Sequence, residues 1–290
     1  MREWAIQNAC QWVRDFHVDG LRLDAVHAIE DDSPRHVLAE LADRVRAERP
    51  GTLVISEMET GDLRPLRDWG HDAQWADELH HALHVLLTGE REGYYADYGR
   101  VADVAAALTR PEGRRLVVCT QNHDQVGNRA LGDRPPPGSR RLAAMLTLLA
   151  PGTPLLFMGE EHGERRPFRF FTDHDDPFIA DATREGRRRE FAGFAGFRAE
   201  DVPDPQAEET FLASRLDRAA GDPALRALYR DLLALRRRLG DAPASVDLAE
   251  DERWLVLRRG GVEVLANLAD REQAVGGETL RPFEGRIRHR

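Results

Sequence analysis

The stretch Val18-Asp19-Gly20-Leu21-Arg22-Leu23-Asp24-Ala25 decides how the rest of the chain reads. It is a short apolar strand that runs into an acidic residue. Arg22 stands two residues before Asp24, so both side chains face the same side of the strand. A guanidinium in that position suits an ionised, oriented carboxylate. Upstream, Trp4, Ile6, Ala9, Cys10, Val13 and Phe16 recur at helical spacing. Downstream, Ser33-Pro34 predicts an N-cap with proline in the first turn of a helix reaching about Arg49, where Pro50-Gly51 stops it.

The same unit then recurs. Leu53-Val54-Ile55 is a second strand ending near Glu57, and a third is expected over 72–76. Helical patterns follow over 78–87 and 101–108. Leu116-Val117-Val118-Cys119 is a fourth strand, ending in Gln121-Asn122-His123-Asp124. After a helix over 141–149, Pro151-Gly152 breaks the chain before a fifth strand, Leu155-Leu156-Phe157. Strands alternating with helices predict a parallel sheet with crossover helices. Each strand is short, apolar on both faces and followed by polar residues, as in a (β/α) barrel with its chemistry on the βα loops.

From Ala182 the pattern changes. Arg-rich helical sequence to about Phe191 leads into a long irregular stretch and then a helix over 223–239. Trp254-Leu255-Val256-Leu257, the turn Gly260-Gly261 and Val262-Glu263-Val264-Leu265 make a hairpin signal. The fold class expected is α/β: part of a TIM (β/α)8 barrel, about strands 4 to 8, then a small C-terminal antiparallel β domain. The barrel part is assigned to residues 1–240 and the β domain to 241–290.

Composition narrows the function. Of 290 residues, 32% are charged and 41% hydrophobic, and the net charge is −10, which disfavours a nucleic-acid partner. The chain contains no lysine, so all 41 basic residues are arginine, and Schiff-base and P-loop lysine chemistry are excluded. Cys10 and Cys119 have no CxxC spacing and read as buried reduced thiols. The apolar run 142–158 is broken by Thr147, Pro151, Gly152 and Pro154, and the N-terminus lacks a signal-peptide core. A cytoplasmic protein with no membrane partner is expected.

Three acidic residues stand at strand ends: Asp24, Glu57 and Asp124. Retaining glycoside hydrolysis needs two carboxyl groups ~5–5.5 Å apart. Neighbouring barrel strands, ~4.8 Å apart, can supply that separation. Helix caps and ordinary loop acids compete with this reading. His80, His81 and His84 form HHxxH, but the glutamate of HExxH is absent and no third ligand is evident, so sugar contacts or helix packing are preferred to a metal. Trp69 and Trp75 suit either sugar stacking or the core. Arg187 to Arg189 read as a solvated helix face, Pro135-Pro136-Pro137 as a stiff loop, and Gly159-Glu160-Glu161 as a site rim or a helix start.

Residues 18–25 resemble the nucleophile strand of the α-amylase superfamily, glycoside hydrolase family 13. Val54-Ile55-Ser56-Glu57 resembles its general-acid strand, and Gln121-Asn122-His123-Asp124 its transition-state-stabilising segment. A narrower resemblance is to the malto-oligosyltrehalose trehalohydrolases. It rests on Leu21 to Ile29, Asp72-Ala73-Gln74-Trp75-Ala76-Asp77, His80-His81-Ala82-Leu83-His84-Val85, Leu87-Thr88-Gly89-Glu90, Gly93-Tyr94-Tyr95, Asn122 to Arg129, Pro154 to Glu161, and Arg184 to Arg188. The resemblance implies release of trehalose by cleavage of the α-1,4 bond next to the terminal trehalose unit of malto-oligosyltrehalose. It implies Asp24 as nucleophile, Glu57 as general acid/base and Asp124 as transition-state stabiliser. Arg22, His27 and His123 would line the subsite of the cleaved glucose. Asp77, Glu78, His80 and His81, with Gln125 and Asn128, would be further substrate contacts. No cofactor or metal is implied. The alternatives are another α-glucan hydrolase or transferase of the superfamily, or an inactive glucan-binding fragment.

Two departures touch the subsites. Met58-Glu59-Thr60-Gly61 replaces an acid- and asparagine-rich stretch, and Leu79 stands where the family has an aromatic. A third is larger: the family carries an N-terminal β domain and three barrel strands before the nucleophile strand, whereas 17 residues precede Val18. The expectation is therefore the C-terminal part of a barrel enzyme, poorly soluble or inactive when expressed alone.

Overall fold

A computed structural model describes residues 1–58, 61–191 and 201–289. Among them a five-stranded parallel sheet runs in simple order from β1 (Gly20–Leu23) through β2 (Leu53–Ser56), β3 (Ala73–Trp75) and β4 (Leu116–Val118) to β5 (Thr153–Pro154). Helix α1 (Arg2–Arg14) precedes it, and α2 (Val37–Glu48) crosses from β1 to β2. A one-turn α3 (Arg64–Arg67) precedes β3; α4 (Glu78–Thr88) and α5 (Val101–Leu108) connect β3 to β4. A short α6 (His123–Gly127) and α7 (Arg140–Leu149) connect β4 to β5. This strand-to-helix order follows the predicted barrel segment.

Two details differ from expectation. The last parallel strand is Thr153–Pro154, not Leu155–Phe157. Leu155 N–H still donates to Val118 O at 2.8 Å, but Pro154 has no N–H, and the chain then bends into the turn ending at Glu160. Helix α2 is capped by His36, whose side chain accepts from Leu38 N–H, and not by Ser33. The Asp31 carboxylate takes the N–H groups of Ser33 and Val37 and pairs with Arg2, so Ser33-Pro34 stay in the turn before the helix.

Helices α1 and α2 cover β1 and β2 through Ile6, Ala9, Cys10, Val13, Leu41, Ala42, Val45 and Val54. The outer face of this part leaves Trp4, Trp12 and Phe16 exposed. Farther on come α8 (Pro177–Phe191), α9 (Glu208–Ala213) and α10 (Pro223–Leu239). Arg188 and Arg189 are exposed as expected, but Arg187 is not. Its guanidinium lies 4.9 Å over the Phe170 ring and 4.7 Å over Phe191, because a cation on an aromatic face is held without full hydration. The irregular stretch expected after Phe191 includes 192–200, which lie outside the described residues, as do Glu59 and Thr60 of the Met58–Gly61 departure.

The C-terminal domain is antiparallel. Strands β6 (Ala244–Ala249), β7 (Trp254–Arg259), β8 (Val262–Asn267) and β11 (Gly285–His289) form a sheet in the order β11-β8-β7-β6, and β9 (Gln273–Val275) pairs with β10 (Glu278–Leu280). The predicted hairpin is β7–β8, with both glycines of its two-residue turn at positive φ, 53° for Gly260 and 79° for Gly261. Alternation then sends Leu255, Leu257, Val264 and Ala266 into the largest core cluster, with α5 against β7 and α7 against β8. The opposite face, Val256 and Leu265, packs on Val275 and Leu280. Among the described residues no helix is long and apolar enough to cross a membrane.

Candidate active site

The site lies at the C-terminal ends of the parallel strands. Leu23 on β1 pairs with Ser56 on β2, so the next residues, Asp24 and Glu57, are lateral neighbours. Ala25 then turns left-handed (φ 42°, ψ 45°), a costly conformation for an L-residue with a side chain. That turn aims its N–H at Glu57 Oε2, 2.8 Å away, while Val26 N–H donates to Glu57 O at 3.0 Å. Asp124 arrives from beyond β4 in the first turn of α6. The Asn122 side chain caps that helix, accepting from Asp124 N–H at 2.9 Å and Gln125 N–H at 2.7 Å.

Arg22 gathers the three acids. One terminal nitrogen, Nη1, hydrogen-bonds Asp24 Oδ1. The other, Nη2, lies 2.9 Å from Glu57 Oε2 and 3.8 Å from Asp124 Oδ2. The Glu57 contact has the distance of an ion pair without the angle of a hydrogen bond. The hydrogen bond from Arg22 holds the Asp24 carboxyl below the usual carboxylate range, so Asp24 is ionised at neutral pH. Its side chain is 77% exposed, against 25% for Glu57 and 34% for Asp124, which leaves Asp24 the most open to an incoming molecule. His123 Nε2 is 3.2 Å from Asp124 Oδ2, and Asn128 Nδ2 donates to Asp124 Oδ1 at 3.2 Å.

The other candidates fall into distinct places. His27 is exposed in the 3₁₀ turn Val26–Ala28, directly after the end of β1. Asp77, half-buried at the start of α4, is pushed up to about 6 by burial, with Glu57 and Asp124 adding negative charge and Gln125 opposing through a hydrogen bond. Glu78 is occupied by Arg110, 2.9 Å away. His80 is buried, its Nδ1 2.8 Å from Thr120 O and its Nε2 3.0 Å from Tyr95 Oη. His81 is pushed down to about 4 by burial and by His84, so it is neutral at pH 7; its Nε2 lies 3.5 Å from Gln125 Nε2.

Sequence reasoning missed the polar layer behind these histidines. His84 Nε2 and Arg129 Nη1 both meet Glu90 Oε2, at 2.8 and 2.9 Å, and the His84 ring stacks on Tyr95 at 4.3 Å. The i,i+4 spacing of His80 and His84 signalled part of it, but Tyr95, Thr120 and Arg129 reach these rings from farther along the chain. A cavity of ≈190 Å³ opens there, lined by His80, His84, Glu90, Arg129 and Pro135-Pro136. Trp69 is buried and stacks on His36, so it belongs to the core. Trp75 faces Arg22 instead, with the guanidinium carbon 4.3 Å from its ring centroid. Among the described residues no group of three or more His, Cys, Asp or Glu is set to hold a metal ion.

An open carboxylate on a guanidinium, a second acid beside it and a third facing both can perform nucleophilic displacement with proton transfer at an acetal carbon. Comparison with known proteins points the same way. Over 318 residues of alignment the chain is 45% identical to a malto-oligosyltrehalose trehalohydrolase of Rhizobium sp. (strain M-11), covering 93% of this chain and 53% of that protein. A malto-oligosyltrehalose trehalohydrolase of Mycobacterium tuberculosis (strain ATCC 25618 / H37Rv) is 41% identical, with 99% and 58% covered. The chain thus spans about half the length of the curated relatives it matches. A crystal structure of a proposed alpha amylase from Salmonella typhimurium superposes with a TM-score of 0.83 at 33% identity, covering 99% of this chain and 60% of that one. No family model matches the chain.

Proposed function

Because the chain belongs to the malto-oligosyltrehalose trehalohydrolase family within the α-amylase superfamily, we propose that its strand-end acids carry out retaining hydrolysis of the α-1,4 bond beside a terminal trehalose unit. The substrate is malto-oligosyltrehalose and the released product trehalose. Asp24 attacks the anomeric carbon while Glu57 gives its proton to the departing glycosidic oxygen, so trehalose leaves and a glycosyl–Asp24 ester remains. Glu57, now a carboxylate, takes a proton from water; the hydroxide oxygen bonds the anomeric carbon and Asp24 is freed. Asp124 hydrogen-bonds ring hydroxyls more strongly as the sugar flattens towards the oxocarbenium state.

The observation that carries this reading is the single guanidinium shared by Asp24 and Glu57. Two acids on one fork stay a close pair, which suits the ~5–5.5 Å separation of retention better than the ~6.5–9.5 Å of inversion. His27 and His123 are proposed to line the subsite of the cleaved glucose with Arg22, and Asn128, Asp77, His81 and Gln125 to be further sugar contacts around it. Glu78 and His80 act more remotely, since Arg110, Thr120 and Tyr95 already occupy them.

The test is product analysis. Joined to the N-terminal part that its relatives carry, the chain should release trehalose as the main product from malto-oligosyltrehalose, and plain maltodextrin should be a poor substrate. Glu57→Gln should lower kcat by about 10³-fold or more, in line with loss of a group that both protonates and deprotonates. Glucose or maltose as the main product from both substrates would favour a general α-glucan hydrolase instead.

A further inference from the structure

We propose that Trp75 is a positioning residue: its indole face carries the Arg22 guanidinium and thereby sets the fork that holds Asp24, Glu57 and Asp124. This deepens the functional reading above and rests on its assignment of Asp24. Four observations converge. Register places Gln74 of β3 beside Ser56 and Ser56 beside Leu23, so Trp75 occupies on the third strand the position of Glu57 and Asp24 on the first two. The Arg22 guanidinium carbon sits 4.3 Å from the centroid of its ring. Arg22 Nε is buried with no hydrogen-bond partner, so no bond at that nitrogen fixes the plane of the fork. The same indole also makes a T-shaped contact with the His123 ring, centroids 5.7 Å apart, and His123 contacts Asp124.

A guanidinium is planar and weakly hydrated, and an aromatic face beneath it restricts its tilt without competing for its protons. With the indole in place, Nη1 and Nη2 point at different acids. Without it the fork can pivot about its Nε bond, and Asp24 loses a fixed donor. The charged and titratable groups facing Asp24 are Arg22 on its own strand, Glu57 at the end of β2 and His123 from α6; Arg22 in addition faces Asp124. The Arg22 bond is the largest influence holding Asp24 down, so its loss moves the Asp24 titration up.

Trp75→Leu should lower kcat about tenfold or more with little change in KM, as small misplacements of catalytic groups do. It should also shift the acidic limb of the pH–rate profile upward. Trp75→Phe, which keeps an aromatic face, should recover most of both. Should the leucine variant fail to fold, Trp75→Met, of similar reach and without a π face, replaces it. The second readout needs no turnover: ¹³C titration of the Asp24 carboxyl in the full chain should show a raised midpoint in the leucine variant and a near-wild-type one in the phenylalanine variant. A folded leucine variant with wild-type kcat and Asp24 midpoint overturns the proposal, as does a phenylalanine variant as damaged as the leucine one. Failure of the functional reading looks different: wild type and Glu57→Gln then release trehalose equally or not at all, while the carboxyl titration still decides the role of Trp75.

Discussion

Ala25 shows how much of the site depends on one backbone angle. Its left-handed turn follows Asp24 directly and delivers the N–H that Glu57 accepts. Left-handed backbone costs an L-residue roughly 1–2 kcal/mol, and more for a β-branched one, whose Cβ crowds the carbonyl. Ala25→Val should therefore lower stability by about 1–2 kcal/mol and lower kcat together, whereas Ala25→Gly should retain activity; chemical denaturation and steady-state rates check both. The order Asp24, Glu57, Asp124 was legible because each acid follows a short apolar strand, directly for the first two and after a polar turn for Asp124. The turn at Ala25 was not, since alanine carries no mark of positive φ. Nor were the partners of Trp75 and Glu78, because Arg22 and Arg110 reach them across the fold rather than along the chain.

At the scale of elements, α10 is pinned to the loop after β5 by a buried acid. Tyr229 Oη donates to Glu160 Oε1 at 3.1 Å, and Phe157 N–H to Oε2 at 3.1 Å. Burial pushes the Glu160 carboxyl up from 4.5 to about 8, against the hydrogen bonds and the nearby Arg134. The fold thus favours the protonated form. The stabilisation is whole below the unfolded value and is lost as pH rises towards the folded one. Stability should fall between about pH 5 and pH 8, by at most ~1.4 kcal/mol per pH unit, and Glu160→Gln should flatten that slope in urea denaturation run at several pH values. Equal slopes would contradict it. Sequence left Glu160 as a site rim or a helix start; only tertiary burial against α10 makes it a core acid. The shortened β5 has a simpler origin, for proline within an apolar run ends a ladder that hydrophobicity alone would extend.

Over the whole molecule, one arginine ties the parallel part to the β domain and a second braces α10 on the same helix end. Arg259, buried on β7, donates to Leu149 O at 3.1 Å, Ala150 O at 2.7 Å and Ala242 O at 2.9 Å. Arg236 of α10 donates to Leu148 O at 3.0 Å and Ala150 O at 2.6 Å. Both cap the C-terminal end of α7, whose open carbonyls and negative dipole end take the place of a carboxylate. Burial lowers both guanidinium groups, Arg236 to about 10, yet they stay charged at neutral pH. Arg259→Met should cost about 2–4 kcal/mol in unfolding free energy, from carbonyls left buried without donors; a loss below 1 kcal/mol would show that the clamp is dispensable. The hairpin of β7 and β8 was legible from its two glycines. The clamp was not, because an arginine-only basic set makes every arginine look alike until its neighbours are known.

The central claim is that Asp24 and Glu57 form a retaining pair that frees trehalose. The most direct measurement is the anomeric configuration of the glucan end newly made from malto-oligosyltrehalose, followed by ¹H NMR in wild type and Glu57→Gln. The account predicts trehalose together with an α-configured new reducing end before mutarotation, and no turnover in the variant. A β-configured end, or equal turnover in Glu57→Gln, would contradict it.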